Sequence, residues 1–265
     1  MMTGKFRALR ATIILGALPL LAHAGEIRRI TAFDNNATVA FVYNHLGYGE
    51  RLNPPNGPYF DTEQGFMKGG RLALSGMGRG HMYVELSYQM TNGSVTYNGG
   101  IQHANGTTTP VTTSLYDHIV DYGLRVGQGF AVTSWSLLVP YIGYGARHWQ
   151  RQADNESYHN QRLAAGVLWQ VMPTRHFLAS LDLAYGRVVQ PRITVPGLFQ
   201  EGLGPKPWER AGVSFNYFIA HSETVFASAT FTRFQYGAGA QTSQGHEPFS
   251  QTESIDYDLG ARFLF

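Results

Sequence analysis

The sequence predicts an all-β chain, a closed antiparallel up-and-down transmembrane β-barrel of ten strands, with eight as the alternative count. Three observations carry that expectation. Apolar and polar residues alternate in ten successive segments, the period of a strand whose two faces meet different surroundings. The connections between those segments alternate between long and short. Charged residues make up only 14% of the chain, against about a quarter in ordinary soluble domains.

The chain opens MMTGKFRALRATIILGALPLLAHAGE. Lys5, Arg7 and Arg10 precede an apolar run over 11–21, and Ala22-His23-Ala24 has the small-x-small form of a cleavage site. Residues 1–24 are therefore expected to be a secretory signal peptide. That leader holds three of the 20 basic residues and none of the 18 acidic ones, so the remainder is close to neutral and gives no support to a nucleic-acid partner. Past the leader only Lys68 and Lys206 remain as lysines. The absence of cysteine excludes a disulfide framework, a thiol nucleophile and a thiolate metal site. No later stretch has the eighteen or so apolar residues of a membrane-spanning helix. A closed sheet is the other structure that satisfies every backbone group inside a bilayer.

The ten segments run over 37–49, 64–77, 81–96, 113–127, 133–150, 157–171, 176–190, 207–220, 223–237 and 251–265. The third sets Met82, Val84, Leu86, Tyr88 and Met90 against Tyr83, Glu85, Ser87 and Gln89. In the fourth, Tyr116, Val120, Tyr122, Leu124 and Val126 oppose Asp117, Asp121 and Arg125. The seventh opposes Phe177, Leu181, Leu183 and Tyr185 to Ser180 and Asp182. The eighth sets Val213, Phe215, Tyr217 and Ile219 against Arg210, Gly212, Ser214 and Asn216. The ninth places Val225, Ala227, Ala229 and Phe231 opposite Ser228, Thr230 and Thr232.

GMGRG, MPTR, AHSE and GQGFAVT are short connections. Five others are longer and rich in turn-forming residues, NPPNGPYFDTE and PGLFQEGLGPKPW among them with aromatics expected to be exposed. This asymmetry suits a barrel whose two ends face different compartments. Export, scarce lysine and aromatics near strand ends point the apolar face toward lipid. Trp149, Tyr158, Trp208 and Tyr236 are the expected outer aromatic girdle, and Phe177, Phe263 and Phe265 the inner one.

The last strand, SIDYDLGARFLF, has Ile255, Tyr257, Leu259, Ala261, Phe263 and Phe265 on one face. It resembles the C-terminal signature of bacterial outer-membrane β-barrel proteins, small porin-like barrels included. The resemblance implies location in the bacterial outer membrane and pairing of the last strand with the first. It also implies that the barrel-assembly machinery reads Ile255, Tyr257, Leu259, Phe263 and Phe265 as an assembly signal. Residues 25–36 are then a short periplasmic N-terminal segment and 37–265 the transmembrane barrel. Outer-membrane lipid and lipopolysaccharide are the expected surroundings of a monomer that carries no cofactor.

With the faces set this way, Glu85, Asp117, Asp121, Asp182, Asp256 and Asp258 point inward, as do Arg71, Arg125, Arg147, Arg162, Arg210 and Arg262. A barrel of this size is filled by its own side chains, so carboxylate–guanidinium pairing and a plugged lumen are expected. A structural or surface-interaction role follows, with a narrow porin for small solutes as the alternative. Ten-stranded omptin-like proteases suggest a hydrolase as a more distant one. Asp256 and Asp258, on the inner half of the last strand, depart from that family's rim acids, and Asp117-His118 turns its histidine toward lipid. His221-Ser222 and His176 with Ser180 do not match the His-x-Ser motif of lipid A deacylase barrels. The ten histidines show no metal-ligand spacing, and no catalytic or metal residue is assigned.

Overall fold

The computed structural model describes residues 26–51, 59–102, 108–151, 156–197, 199–240 and 247–265; the expected leader lies outside them. One helix, α1 (Glu26–Phe33), precedes β1 (Asn36–Arg51), β2 (Asp61–Met77), β3 (Met82–Gln102) and β4 (Thr108–Gln128). Then come β5 (Phe130–Thr133), β6 (Ser136–Arg151), β7 (Glu156–Thr174), β8 (Phe177–Val195) and β9 (Phe199–Gly202). β10 (Pro207–Phe218), β11 (Glu223–Tyr236) and β12 (Phe249–Leu264) complete the chain.

Ten of these strands close a barrel. β1 pairs with β12 from Asn36↔Leu264 to Arg51↔Phe249, so the first and last strands seal the sheet. β5 and β9 are short additions on β6 and β8. Every long strand is antiparallel to both neighbours, which pairs its backbone groups without leaving an edge. The count is ten, not eight.

The strands run further into the long connections than their alternation suggests: β3 reaches Gln102 and β4 begins at Thr108. At the opposite end the turns are tight. In the β2–β3 turn the Gly78 N–H donates to the Met82 carbonyl at 2.9 Å and the His81 N–H to the Gly78 carbonyl at 3.0 Å. Gly80, at φ +81°, takes the left-handed conformation that a side chain would strain.

The apolar face points outward. Tyr122, Phe215 and Tyr257 are 54%, 51% and 49% exposed. Phe263 and Phe265 are exposed at the short-turn end, and Phe177 stacks on Phe215 there. The expected outer girdle is corrected: Trp149, Tyr158, Trp208 and Tyr236 are all buried and pack together inside the barrel. Trp149 shares strand parity with Arg147, and Trp208 with Arg210, so both turn to the side that carries the charges.

Residues 25–36 hold more than an extended lead-in. Ile27, Ile30 and Phe33 recur at helical spacing on α1, and Ile30 and Phe33 are fully buried against Met77, Tyr83, Leu137, Val139, Met172, Leu178 and Phe218. The helix ends where the Asn35 and Asn36 side-chain amides donate to the Thr31 and Phe33 carbonyls, both at 2.8 Å, satisfying groups that the helix itself cannot. α1 therefore closes the short-turn mouth.

Candidate functional site

Two layers of polar side chains lie inside the barrel. The lower one surrounds a cavity of about 160 Å³ above α1. Asp121 accepts from Arg147 Nη2 at 2.8 Å and from Arg162 Nη1 at 2.9 Å. Asp182 pairs with Arg125 at 3.1 Å and with Arg210 at 3.3 Å, and accepts from the Tyr141 hydroxyl at 2.5 Å. Arg125 also reaches Glu85 at 3.6 Å, while the Tyr83 hydroxyl donates to Glu85 at 2.8 Å. Arg71 pairs with Asp258 and lies 3.8 Å from Asp256. Asn44 donates to Asp256 at 2.6 Å.

Some bridges cross between neighbouring strands, as Glu85–Arg125 and Asp121–Arg147 do, while others span the lumen, as Arg125 of β4 does to Asp182 of β8. A forked guanidinium serves this well because its donors diverge in one plane. Two members of the expected network sit differently. Arg262 stacks on Phe226 and Phe33, at 4.5 and 4.9 Å from the ring centres, and makes no ion pair among the described residues. Asp117 is buried but belongs to the upper layer, where it accepts from Trp149 Nε1 at 2.9 Å.

The upper layer was not singled out from sequence. Arg151, 5% exposed, donates to Glu63 through Nε at 2.8 Å and to Glu156 through Nη1 at 2.6 Å, and its Nη1 lies 3.6 Å from Glu50. Its guanidinium sits 5.0 Å from the Tyr48 ring centre. The Tyr48 hydroxyl donates to Glu50 at 2.7 Å, and the Tyr158 hydroxyl to Glu247 at 2.6 Å. Glu247 is itself fixed by its N–H, which donates to Glu201 at 2.7 Å. Tyr158 stacks on Trp149 and Tyr236. Aromatic rings and carboxylates thus fill the wide end of the barrel. Of the aromatics expected to be exposed on PGLFQEGLGPKPW, Trp208 is buried and Phe199 packs against this cluster. Tyr59 and Phe60, of NPPNGPYFDTE, are exposed; residues 53–58 of that stretch lie outside the described residues.

Burial dominates the electrostatics of this layer. Burial, then the neighbouring Glu50, holds the Glu247 carboxyl, in the connection before β12, well above the carboxylate range. The folded state therefore keeps a proton there that the unfolded chain releases above about pH 4.5, so this group makes stability fall as pH rises. Raising the pH from 4.5 to 8 is expected to lower the urea midpoint. Glu247→Gln should flatten the dependence; an unchanged slope would mean that Glu247 is ionised in the folded protein.

No family model matches the chain, and no curated protein matches it in sequence. Solved structures do. The outer membrane protease OmpT from Escherichia coli aligns with a TM-score of 0.57 at 8% identity, covering 87% of this chain and 96% of that one. The β domain of the Bordetella autotransporter BrkA aligns at 0.43 with 12% identity, over 88% and 100% of the two chains. Ail, the attachment invasion locus protein of Yersinia pestis, aligns at 0.33 with 11% identity, over 87% and 98%. By fold, then, the chain is a closed ten-stranded antiparallel β-barrel of the kind seen in that outer membrane protease. Asp117 accepts from Trp149 within the barrel while His118 lies on its outer wall, so that adjacent pair does not converge on one point.

Proposed function

We propose that this chain is a closed barrel of the outer membrane whose charged lumen is a structural network and whose outward surface serves interaction. The carrying observation is closure from both ends. α1 fills one mouth with Ile30 and Phe33, and Tyr48, Trp149, Tyr158 and Tyr236 fill the other half. The cavity of about 160 Å³ between them has room for several waters. Conduction needs a continuous wet path, which roughly sixteen strands provide and ten filled ones do not. In planar bilayers the purified protein should show no large steady openings; sustained single-channel current would overturn this reading.

A narrow solute path is the second reading, supported by the guanidinium-lined cavity. It predicts that Arg147→Ala or Arg210→Ala shifts ion selectivity. Outer-membrane lipid and lipopolysaccharide surround the monomer in this proposal. The barrel-assembly machinery reads the strand Ile255–Phe265 during biogenesis.

A further inference from the structure

The outer wall is not uniform. On β4, β6, β7 and β8 the register places outward residues in rows. One row runs Val120, His148, His159, Arg192, with the two imidazole Nδ1 atoms 3.1 Å apart. Two rows nearer the short-turn end lies Leu124, Tyr144, Leu163, Arg187. Arg192 faces outward because of an irregularity. Between His159 and Gln161 the β7–β8 register shifts, and Gln190 takes φ +49°. That bulge changes which parity of β8 points out, so Arg192 lands beside His159. A non-glycine residue held at positive φ costs energy and is uncommon.

Both arginines are exposed, and neither makes an ion pair among the described residues. The outward carboxylate nearest in register, Glu209, pairs across to Tyr185 and Arg233 rather than to Arg187, which faces Pro207. Below Arg192 and the histidines is a mainly apolar groove of about 540 Å³, floored by Gly143, Ala165 and Gly186, walled by Leu124, Ile142 and Leu163, and lined also by Arg187. Above it is a second groove lined by Asn92, Tyr116, Gln150 and Ser157 and reaching Arg151 and Glu156, with the Tyr116 hydroxyl donating to Asn92 at 2.7 Å.

We infer that this wall is a binding site for one phosphorylated glycolipid of the outer leaflet. An acyl chain lies in the lower groove, a phosphate meets Arg187, Arg192 and the histidine pair, and sugar hydroxyls meet the upper groove. Along the strands the apolar groove with Arg187 at its side, then Arg192 and the histidines, then the polar groove follow the order of acyl chain, phosphate and sugar in such a lipid. A guanidinium binds phosphate through paired N–H donors, and the groove leaves space for a chain over Gly143, Ala165 and Gly186, between Tyr144 and Tyr185. The inference rests on the proposal that this exterior faces outer-membrane lipid.

Native mass spectrometry of the full protein, released from detergent, tests it with three probes: diphosphorylated lipid A, the same lipid without phosphates, and phosphatidylglycerol. Wild type should retain lipid A at least tenfold better than either other probe. R187Q/R192Q should lose that preference, while R233Q, on β11, should keep it. Equal retention by wild type and R187Q/R192Q would overturn the site, as would equal retention of phosphatidylglycerol. Insertion of all three proteins into lipid vesicles is read in parallel. Failure of wild type to insert would overturn the membrane-facing exterior as well, which separates the two failures.

Discussion

Arg151→Met is expected to remove about 3–5 kcal/mol of stability, more than any other single change at the wide end of the barrel. Arg151 ion-pairs with Glu50, Glu63 and Glu156 from three different strands. Removing it leaves Glu50 and Glu63 buried without the guanidinium that faces both, and an uncompensated buried charge is far costlier than a missing pair. Methionine keeps an apolar stem but loses the guanidinium that lies over Tyr48 and Trp149, so charge and packing are both removed and must be told apart. Lysine should rescue poorly, because one ammonium cannot present diverging planar donors to three acids. The measurement is urea unfolding in lipid vesicles followed by tryptophan fluorescence, with Trp149 as a reporter inside the cluster.

The pH dependence separates this account from a packing defect. At acid pH the carboxylates take up protons and no longer need Arg151. The deficit of Arg151→Met should therefore shrink as pH falls toward 4.5, the ordinary value for a glutamate, and grow as pH rises above 7. A deficit independent of pH would assign the loss to packing and refute the charge argument.

The legibility of this chain divides along a physical line. Period-two alternation is set residue by residue, so the strands and their outward faces, with Tyr122, Phe215 and Tyr257, could be read directly. The inward position of Asp121, Arg147 and Arg210 follows from the same parity. What each charge meets does not, because Arg125 and Asp182 lie on strands far apart in the chain and touch only once the barrel closes. The aromatic assignment failed at Trp149, Tyr158, Trp208 and Tyr236 for a different reason. A ring near a strand end suits a headgroup layer and a lumen plug equally, and only parity decides; applied strictly from Arg147 and Arg210, it would have sent Trp149, Arg151 and Trp208 inward. α1 has eight residues, too few turns for its Ile27-Ile30-Phe33 pattern to stand out from the apolar sequence before it.

Asp121→Ala tests whether the lower layer is structural or conductive, since the two readings predict opposite results. Asp121 takes Arg147 through Nε at 3.0 Å and Nη2 at 2.8 Å, and Arg162 through Nη1 at 2.9 Å. Without it, two guanidiniums on adjacent strands face each other across the same space. Arg147 keeps its stack on Phe234 and Arg162 its stack on Trp208, so neither can swing out of the barrel. As a structural network, the layer should lose about 3–5 kcal/mol while the barrel stays electrically silent. Asp121→Ala combined with Arg147→Ala should then recover part of the loss, a coupling that a double-mutant cycle measures. As a solute path, the layer should instead admit anions once Asp121 is gone, with little change in the urea midpoint. Current without destabilisation would transfer the lower layer from architecture to transport.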